Sequence, residues 1–150
     1  MIKVQREDFD VGVEMARLVS GKHEIGGVCC FVGIVRSVSG QKRLHAMILE
    51  HFPGMTEKEL RKIDDEAQKR WPLEASLIIH RHGRLELGEQ IVFVATASPH
   101  RKAAFESCEF LIDYLKTRAP FWKKEDYGSD TKWVQSRVAD SYAAEKWYGE

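Results

Sequence analysis

The chain has 150 residues, with 23 lysines and arginines balanced by 23 aspartates and glutamates. Hydrophobic residues make up 43% and charged residues 31%, which is typical of a folded globular protein and excludes a chain that is disordered along most of its length. A formal net charge of zero argues against a surface that is basic throughout. Nucleic acid is therefore not an expected partner, although a local basic patch is compatible with this balance.

The sequence predicts one domain over residues 1–150, because no repeat, low-complexity tract or linker interrupts it. Nowhere does it approach the roughly 20 consecutive apolar residues of a membrane helix, and its N-terminus lacks the apolar run of a signal peptide. We therefore predict a cytoplasmic protein that does not bind membranes. Cys29, Cys30 and Cys108 form no CxxC pair, so we predict buried, unreactive thiols.

The first elements in chain order are a helix and two strands. A helix is predicted over Phe9–Val19, with an apolar stripe formed by Phe9, Val13, Ala16 and Leu18. The β-branched and aromatic run Ile25–Arg36 predicts a mostly buried strand. After a polar turn, Leu44–His51 predicts a second strand.

A helix and a pair of strands follow. Thr56 and Glu59 have the spacing of a capping box, and the apolar residues after them predict a helix that ends before Pro72. Two strands are then predicted, Leu77–Leu87 and Gln90–Ala97, joined by a hairpin at residues 87–89.

A second long helix is predicted to begin at Ser98 and to end before Pro120. Its predicted buried stripe consists of Ala104, Phe105, Cys108, Leu111, Ile112 and Leu115. Residues Phe121–Glu125 are predicted to be extended. Strands and helices mix without strict alternation, which favours an α+β fold. We expect a mixed, mostly antiparallel sheet with two long helices packed on it.

The start of the second long helix carries an electrostatic conflict. His100, Arg101 and Lys102 fall where unpaired backbone N–H groups and the helix dipole already present positive charge, at a cost of roughly 0.3–1 kcal/mol for each cation. A bound anion would resolve this conflict, and arginine can grip a phosphate through two hydrogen bonds. Arg36, at the end of an apolar strand, is a second candidate for holding an anion. Ordinary solvation or pairing with a carboxylate is the alternative for these side chains.

Basic residues also gather after Asp113, with no acid among them: Lys116, Arg118, Lys123 and Lys124. In an extended segment, Phe121, Lys123 and Glu125 share one face. A lysine beside a carboxylate over an apolar floor is a candidate site, and a solvated basic loop is the alternative.

His80 and His82 form an HxH pair with a spacing that can ligate a metal from one face of a strand. No third ligand is evident nearby, which favours a hydrogen-bonded or surface pair, and we predict no metal. The GxSxG, GK[ST] and GxGxxG motifs are absent, so hydrolase, nucleotide-binding and dinucleotide-binding sites have no local support.

Several segments together resemble the large, catalytic subunit of molybdopterin synthase: HFPGMTEKEL (51–60), RWPL (70–73), HRHGRLELGE (80–89), SPHRKAAFESC (98–108) and DYLKTRAPFWKKE (113–125). The resemblance runs from the FVGIVR strand to Trp133-Val134, with matching order and spacing. Phe52 departs from it, because this family often has tyrosine there. The change removes a hydroxyl at a position to which we give no role.

The resemblance implies an α+β fold and a homodimer of large subunits within a heterotetramer. Each large subunit would bind a small ubiquitin-like sulfur carrier whose C-terminal Gly-Gly ends as a thiocarboxylate. Two such sulfurs would convert cyclic pyranopterin monophosphate into the dithiolene of molybdopterin. The resemblance implies no cofactor.

The resemblance also implies roles for individual residues. Lys116 matches the catalytic lysine and Lys123 a second active-site lysine. Positions implied to bind substrate are Arg36, His100, Arg101, Lys124, Glu125 and, contributed across the dimer, Arg137. Phosphate and thiocarboxylate are both anions, so one pocket must collect several cations. A lysine with an ordinary pKa of about 10.4 is an ammonium at neutral pH, which favours charge stabilisation and proton donation by Lys116 over covalent capture of the acyl group.

Two other functions compete with sulfur transfer. A non-catalytic adaptor would bind an extended peptide tail along a strand edge and read its terminal carboxylate with the basic residues. A metal hydrolase would use His80 and His82. Turnover separates the adaptor from the enzyme, and metal analysis tests the hydrolase.

Overall fold

The computed structural model describes residues 1–39, 42–128, 131–134 and 143–148. The elements in chain order are β1 (Ile2–Gln5), α1 (Val11–Val19), β2 (Gly27–Ile34), β3 (Val38–Ser39), β4 (Lys42–Arg43), β5 (Ala46–His51), α2 (Met55–Arg70), β6 (Ala75–Arg81), β7 (Gly83–Glu86), β8 (Gln90–Ser98), α3 (Arg101–Arg118), β9 (Phe121–Asp126) and β10 (Thr131–Val134).

Two four-stranded sheets form the framework. The first has the order β1-β6-β8-β2 and the second the order β10-β9-β5-β7, while β3 and β4 pair as a small ribbon. Pairing is antiparallel except between β1 and β6. The predicted α+β class, the mostly antiparallel pairing and the two long helices are confirmed, although the strands form two sheets where one was expected.

Helices cover both faces of the first sheet. On one face, side chains of α2 and α3 such as Ile63 and Leu111 pack with Ile78 and Val94 of the sheet. On the other face, α1 packs against a cluster around Phe93. A third cluster forms the core of the second sheet. Each fully buried aliphatic or aromatic side chain contributes roughly 1.5–3 kcal/mol, so these layers hold the sheets in place. Among the described residues, no helix combines the length and apolar character that crossing a membrane requires.

The first helix begins later than predicted, and its buried face is partly as predicted. Asp10 caps it, since the Asp10 carboxylate accepts a hydrogen bond from the Val13 amide at 2.9 Å. Phe9 is buried and Leu18 packs against the same cluster, which confirms these two members of the predicted stripe. Val13 is 44% exposed and Ala16 is also exposed, so their predicted burial is wrong.

The prediction of a buried strand near residue 30 is wrong, because β2 lies at the edge of its sheet. Phe31 is 40% exposed and Ile34 is 50% exposed. Cys30 is exposed as well, which contradicts the predicted burial of all three thiols. Cys108 is buried, and burial raises its pKa.

The long strand predicted over Leu77–Leu87 is two strands that belong to different sheets. The chain leaves the first sheet after Arg81 and enters the second at Gly83, whose φ of 91° lies in the left-handed region that favours glycine. Strand β7 pairs with β5, and β8 pairs with β6, so the hairpin predicted at residues 87–89 is wrong.

The two long helices begin at other residues than predicted. Helix α2 starts before Thr56, and the Glu57 carboxylate accepts from the Gly54 amide at 2.5 Å, while Glu59 pairs with Lys62. Helix α3 starts at Arg101, since Ser98 is the last residue of β8.

Phe105 is 62% exposed, so its prediction as a buried residue of α3 is wrong. The residues that α3 buries are Ala104, Ser107, Cys108, Phe110, Leu111, Tyr114 and Leu115. Phe105 lies outside this helical face.

Candidate active site

The end of α3 and the start of β9 meet at His80. The His80 ring is 5% exposed and stacks on Phe121, with 3.7 Å between ring centroids and 17° between ring planes. Burial, together with the nearby positive charge of Lys116, lowers the pKa of His80 to about 3. Phe121 is the first residue of β9, the strand that carries Lys123. The structure therefore brings Lys116 and the strand of Lys123 to one buried, uncharged wall, which is formed by the rings of His80 and Phe121.

Two further histidines, His51 and His82, extend this wall, and His51 was not predicted from the sequence. His80 Nδ1 lies 2.8 Å from the Arg81 carbonyl oxygen, and since that oxygen can only accept, Nδ1 carries the hydrogen. The rings of His51 and His82 are 4.3 Å apart. Burial and the charge of His51 lower the pKa of His82. No spacing signals His51, which reaches the wall because it pairs with Phe121 across two strands.

The wall does not assemble into a metal centre in the part of the chain that the structure describes. No group of three or more histidine, cysteine, aspartate or glutamate side chains there could hold a metal ion. His51 Nδ1 is buried and has no hydrogen-bond partner among the described residues.

The site face of β9, which carries Phe121, Lys123 and Glu125, matches the alternation predicted from the sequence. These residues lie opposite His51, Leu49 and Met47 of β5. Lys123 is half-buried and Glu125 is 2% exposed. The Tyr127 hydroxyl donates a hydrogen bond to Glu125 Oε2 at 2.6 Å, and Tyr127 is a residue that the sequence analysis did not single out.

Lys124 lies on the opposite face of β9 from Lys123 and Glu125. Its ammonium sits over the Trp133 ring, 5.4 Å from the centroid, as a cation–π contact. Trp122 shares this outer face and packs edge-on against Phe52 at 4.2 Å. The structure therefore does not bring Lys124 to the site face, because adjacent strand residues point in opposite directions.

The cations predicted at the start of α3 are present there. His100 is the N-cap but makes no side-chain capping bond, and the first turn contains no acidic residue. Arg101 is exposed, and Lys102 lies 3.8 Å from Glu106 one turn further along. The electrostatic conflict predicted from the sequence persists in the fold, and an anion bound here would relieve it.

A single chain does not gather all the predicted cations. Arg101 and Lys116 lie at opposite ends of α3, about 22 Å apart at 1.5 Å per residue. Arg36 follows the end of β2 that is furthest from Ser98, because the Val35 amide bonds to the Glu89 carbonyl. Arg36 therefore shares the Lys116 end of the first sheet. Arg137 lies outside the described residues.

Comparisons with known proteins agree with one another. The family model described as MoaE protein matches residues 4–118. A molybdopterin synthase catalytic subunit from Pseudomonas aeruginosa is 53% identical over 146 residues, covering 97% of each chain. The solved MoaE protein from Burkholderia ambifaria has a TM-score of 0.86 and 49% identity, and covers 100% of this chain and 99% of its own. A solved molybdopterin synthase from Staphylococcus aureus has a TM-score of 0.83 and 30% identity, and covers 89% of this chain and 96% of its own.

Proposed function

The chain belongs to the MoaE family of molybdopterin synthase catalytic subunits, and we propose that its site transfers two sulfurs from a thiocarboxylated carrier to cyclic pyranopterin monophosphate. The observation that carries this proposal is the meeting of Lys116 with the strand of Lys123 at the wall formed by His80 and Phe121. Two ammonium groups over an uncharged, water-poor wall favour reactions in which negative charge develops.

In each transfer, the bond between the acyl carbon and sulfur of the thiocarboxylate breaks, and sulfur becomes bonded to a carbon of the pterin side chain. Oxygen from water or from that side chain takes the place of sulfur, so the carrier leaves as a carboxylate. Lys116 stabilises the negative charge that forms on the oxygen and sulfur bound to the acyl carbon, and donates a proton. Lys123, on the site face of β9, adds a second positive charge.

The partner that fits this chemistry is a small ubiquitin-like carrier with a C-terminal Gly-Gly. Its thiocarboxylate is an anion at the end of an extended tail, which suits a site with lysines at its entrance. Lys116 is exposed and Lys123 is half-buried. A narrow tail that enters from solvent can therefore reach the ammonium of Lys116 first and the ammonium of Lys123 deeper in the site. The predicted cytoplasmic location stays a prediction.

We further propose a homodimer in which a second copy completes the site. The cations of one chain form two groups at opposite ends of α3, about 22 Å apart. Strand β2 is an edge strand with exposed apolar side chains, Phe31 and Ile34, and an open edge of this kind is suited to pairing. Antiparallel pairing of β2 with its counterpart would place Arg36 of one copy near His100 and Arg101 of the other.

The experiment that tests the function mixes the purified chain with a thiocarboxylated carrier and cyclic pyranopterin monophosphate. Mass spectrometry should detect a product with two added sulfurs and a carrier returned to the carboxylate form. A non-catalytic adaptor would bind carboxylate and thiocarboxylate tails equally and consume neither. Binding without any sulfur in the pterin would therefore contradict the proposal.

A further inference from the structure

A short hydrogen bond joins Tyr127 to Glu125. The Tyr127 hydroxyl donates to Glu125 Oε2 at 2.6 Å. Glu125 is 2% exposed, which leaves little surface for direct contact with a substrate. Tyr127 is half-buried, and its ring packs against the core of the second sheet, which includes Met47 and Leu49. The phenol is therefore anchored in the core while its hydroxyl holds a buried carboxyl group of the candidate site.

The length of the hydrogen bond between Tyr127 and Glu125 is that of a strong hydrogen bond. A buried carboxyl group is costly unless hydrogen bonds replace those it made to water. Bonds from a hydroxyl to an ionised carboxylate span roughly 2.5–2.7 Å and are about twice as strong as neutral ones. The distance between Tyr127 and Glu125 falls in this range. The bond fixes the direction in which the carboxyl group turns.

The backbone around Tyr127 is held in place. One oxygen of Asp126 accepts from the Gly128 amide at 2.8 Å, and the other pairs with Arg84 at 2.9 Å. Tyr127 follows the last residue of β9, so alternation puts it on the side of Glu125 and Lys123. Consecutive members of this row lie about 7 Å apart along the strand. Glu125, in the middle of the row, is the neighbour of Lys123 on this face, and opposite charges at such a spacing attract each other.

We propose that Tyr127 is a positioning residue of the sulfur-transfer site, which fixes the Glu125 carboxylate and, through it, the ammonium of Lys123. The inference rests on the proposed function and adds to it a residue that contacts neither substrate. Its role is to keep a buried negative charge in one orientation beside a group that must face an anion.

The test compares the full chain with Tyr127→Phe, which removes only the hydroxyl, in the sulfur-transfer assay. Tyr148→Phe is the matched control, because Tyr148 is 59% exposed and lies on the C-terminal segment. We expect Tyr127→Phe to lower kcat roughly tenfold, with KM for the carrier unchanged.

Glu125→Gln and the double variant separate positioning from stability. Adding Tyr127→Phe to Glu125→Gln should lower kcat no further, because the hydroxyl acts through the carboxylate. The double variant should also unfold at a higher temperature than Tyr127→Phe, since it no longer buries a carboxylate that lacks its donor.

An active wild type together with an unchanged kcat in Tyr127→Phe would overturn this inference alone. Losses that multiply in the double variant would do the same. A wild-type chain that transfers no sulfur would overturn the proposed function, and this inference with it.

Discussion

Lys116 is exposed near the end of α3, and its positive charge nevertheless contributes to the lowered pKa of the buried His80. An exposed side chain contributes little to packing, so its removal should spare the fold and the binding of the carrier. We expect Lys116→Ala to lower kcat at least about 100-fold, the usual cost of losing one group that stabilises an oxyanion. The measurement is dithiolene formation by mass spectrometry, with thermal unfolding as a check on the fold.

Lys62→Ala is the matched control for this variant. Lys62 is also a partly exposed helix lysine, and its ammonium pairs with Glu59 at 2.8 Å on α2. It should retain wild-type turnover. Full activity of Lys116→Ala would contradict the assigned role of Lys116.

His80 makes stability depend on pH. Burial lowers its pKa from the ordinary 6.5 to about 3, so between these values the unfolded chain binds a proton that the folded chain does not. The free energy of unfolding should therefore fall as pH decreases from about 6.5 to about 3, by up to about 1.4 kcal/mol per pH unit from this residue. His82, whose pKa is also lowered, acts in the same direction.

Denaturant unfolding at several pH values, comparing wild type with His80→Phe, tests this dependence. Phenylalanine preserves a flat ring against Phe121 and removes the titrating group, so the acid loss of stability should become shallower. His23→Asn is the control, since His23 is exposed. An unchanged slope in His80→Phe would show that other groups account for the acid sensitivity.

At the scale of elements, α3 presents positive side chains at its N-terminal end, where the helix dipole disfavours them. If Arg101 holds the phosphate of the substrate, its contact is the same in the ground state and the transition state. Arg101→Ala should then raise KM for the pterin roughly tenfold and change kcat less. Steady-state kinetics at a fixed carrier concentration give both parameters.

Lys102→Ala is the control in the same helical turn, because Lys102 is exposed and lies 3.8 Å from Glu106. Its KM should stay at the wild-type value. An unchanged KM in Arg101→Ala would count against phosphate binding at this end of the helix.

The elements also show how far the sequence predicts the fold. Helix α2, strand β5 and strand β9 are predicted because periodicity and turn residues are local signals. The edge position of β2 is not, since an apolar run reads the same at an edge as in the middle of a sheet. The break between β6 and β7 is also missed, because a single Gly83 redirects the chain within an otherwise continuous strand pattern.

The candidate site, like the fold, is predictable only where a local sequence pattern specifies it. The shared face of Lys123 and Glu125 follows from alternation along one strand. His51 reaches the site through pairing between β5 and β9, which no local pattern encodes. The Tyr127 hydroxyl bond depends on side-chain rotamers, which lie beyond what residue spacing can specify.

For the whole molecule, the proposed sharing of cations between two copies predicts that activity depends on assembly. Ile34 is 50% exposed on the edge strand β2, and a lysine there should oppose pairing of two copies. We expect Ile34→Lys to shift the chain from dimer to monomer in sedimentation equilibrium, and to lose sulfur transfer while keeping its circular dichroism spectrum.

Val13→Lys is the control for an added surface charge, since Val13 is 44% exposed on α1, a helix that carries none of the candidate site residues. It should remain dimeric and active. A wild type that is monomeric at assay concentrations and fully active would contradict the shared site.

The link between α3 and β9 consists of residues 119 and 120 alone. Lys116 lies on a helix packed against the first sheet, and Lys123 belongs to the second sheet. Pro120 restricts the backbone of this link, because its ring fixes φ. The spacing between the two ammonium groups therefore depends on a two-residue connection, and a substitution there could change that spacing without altering either lysine.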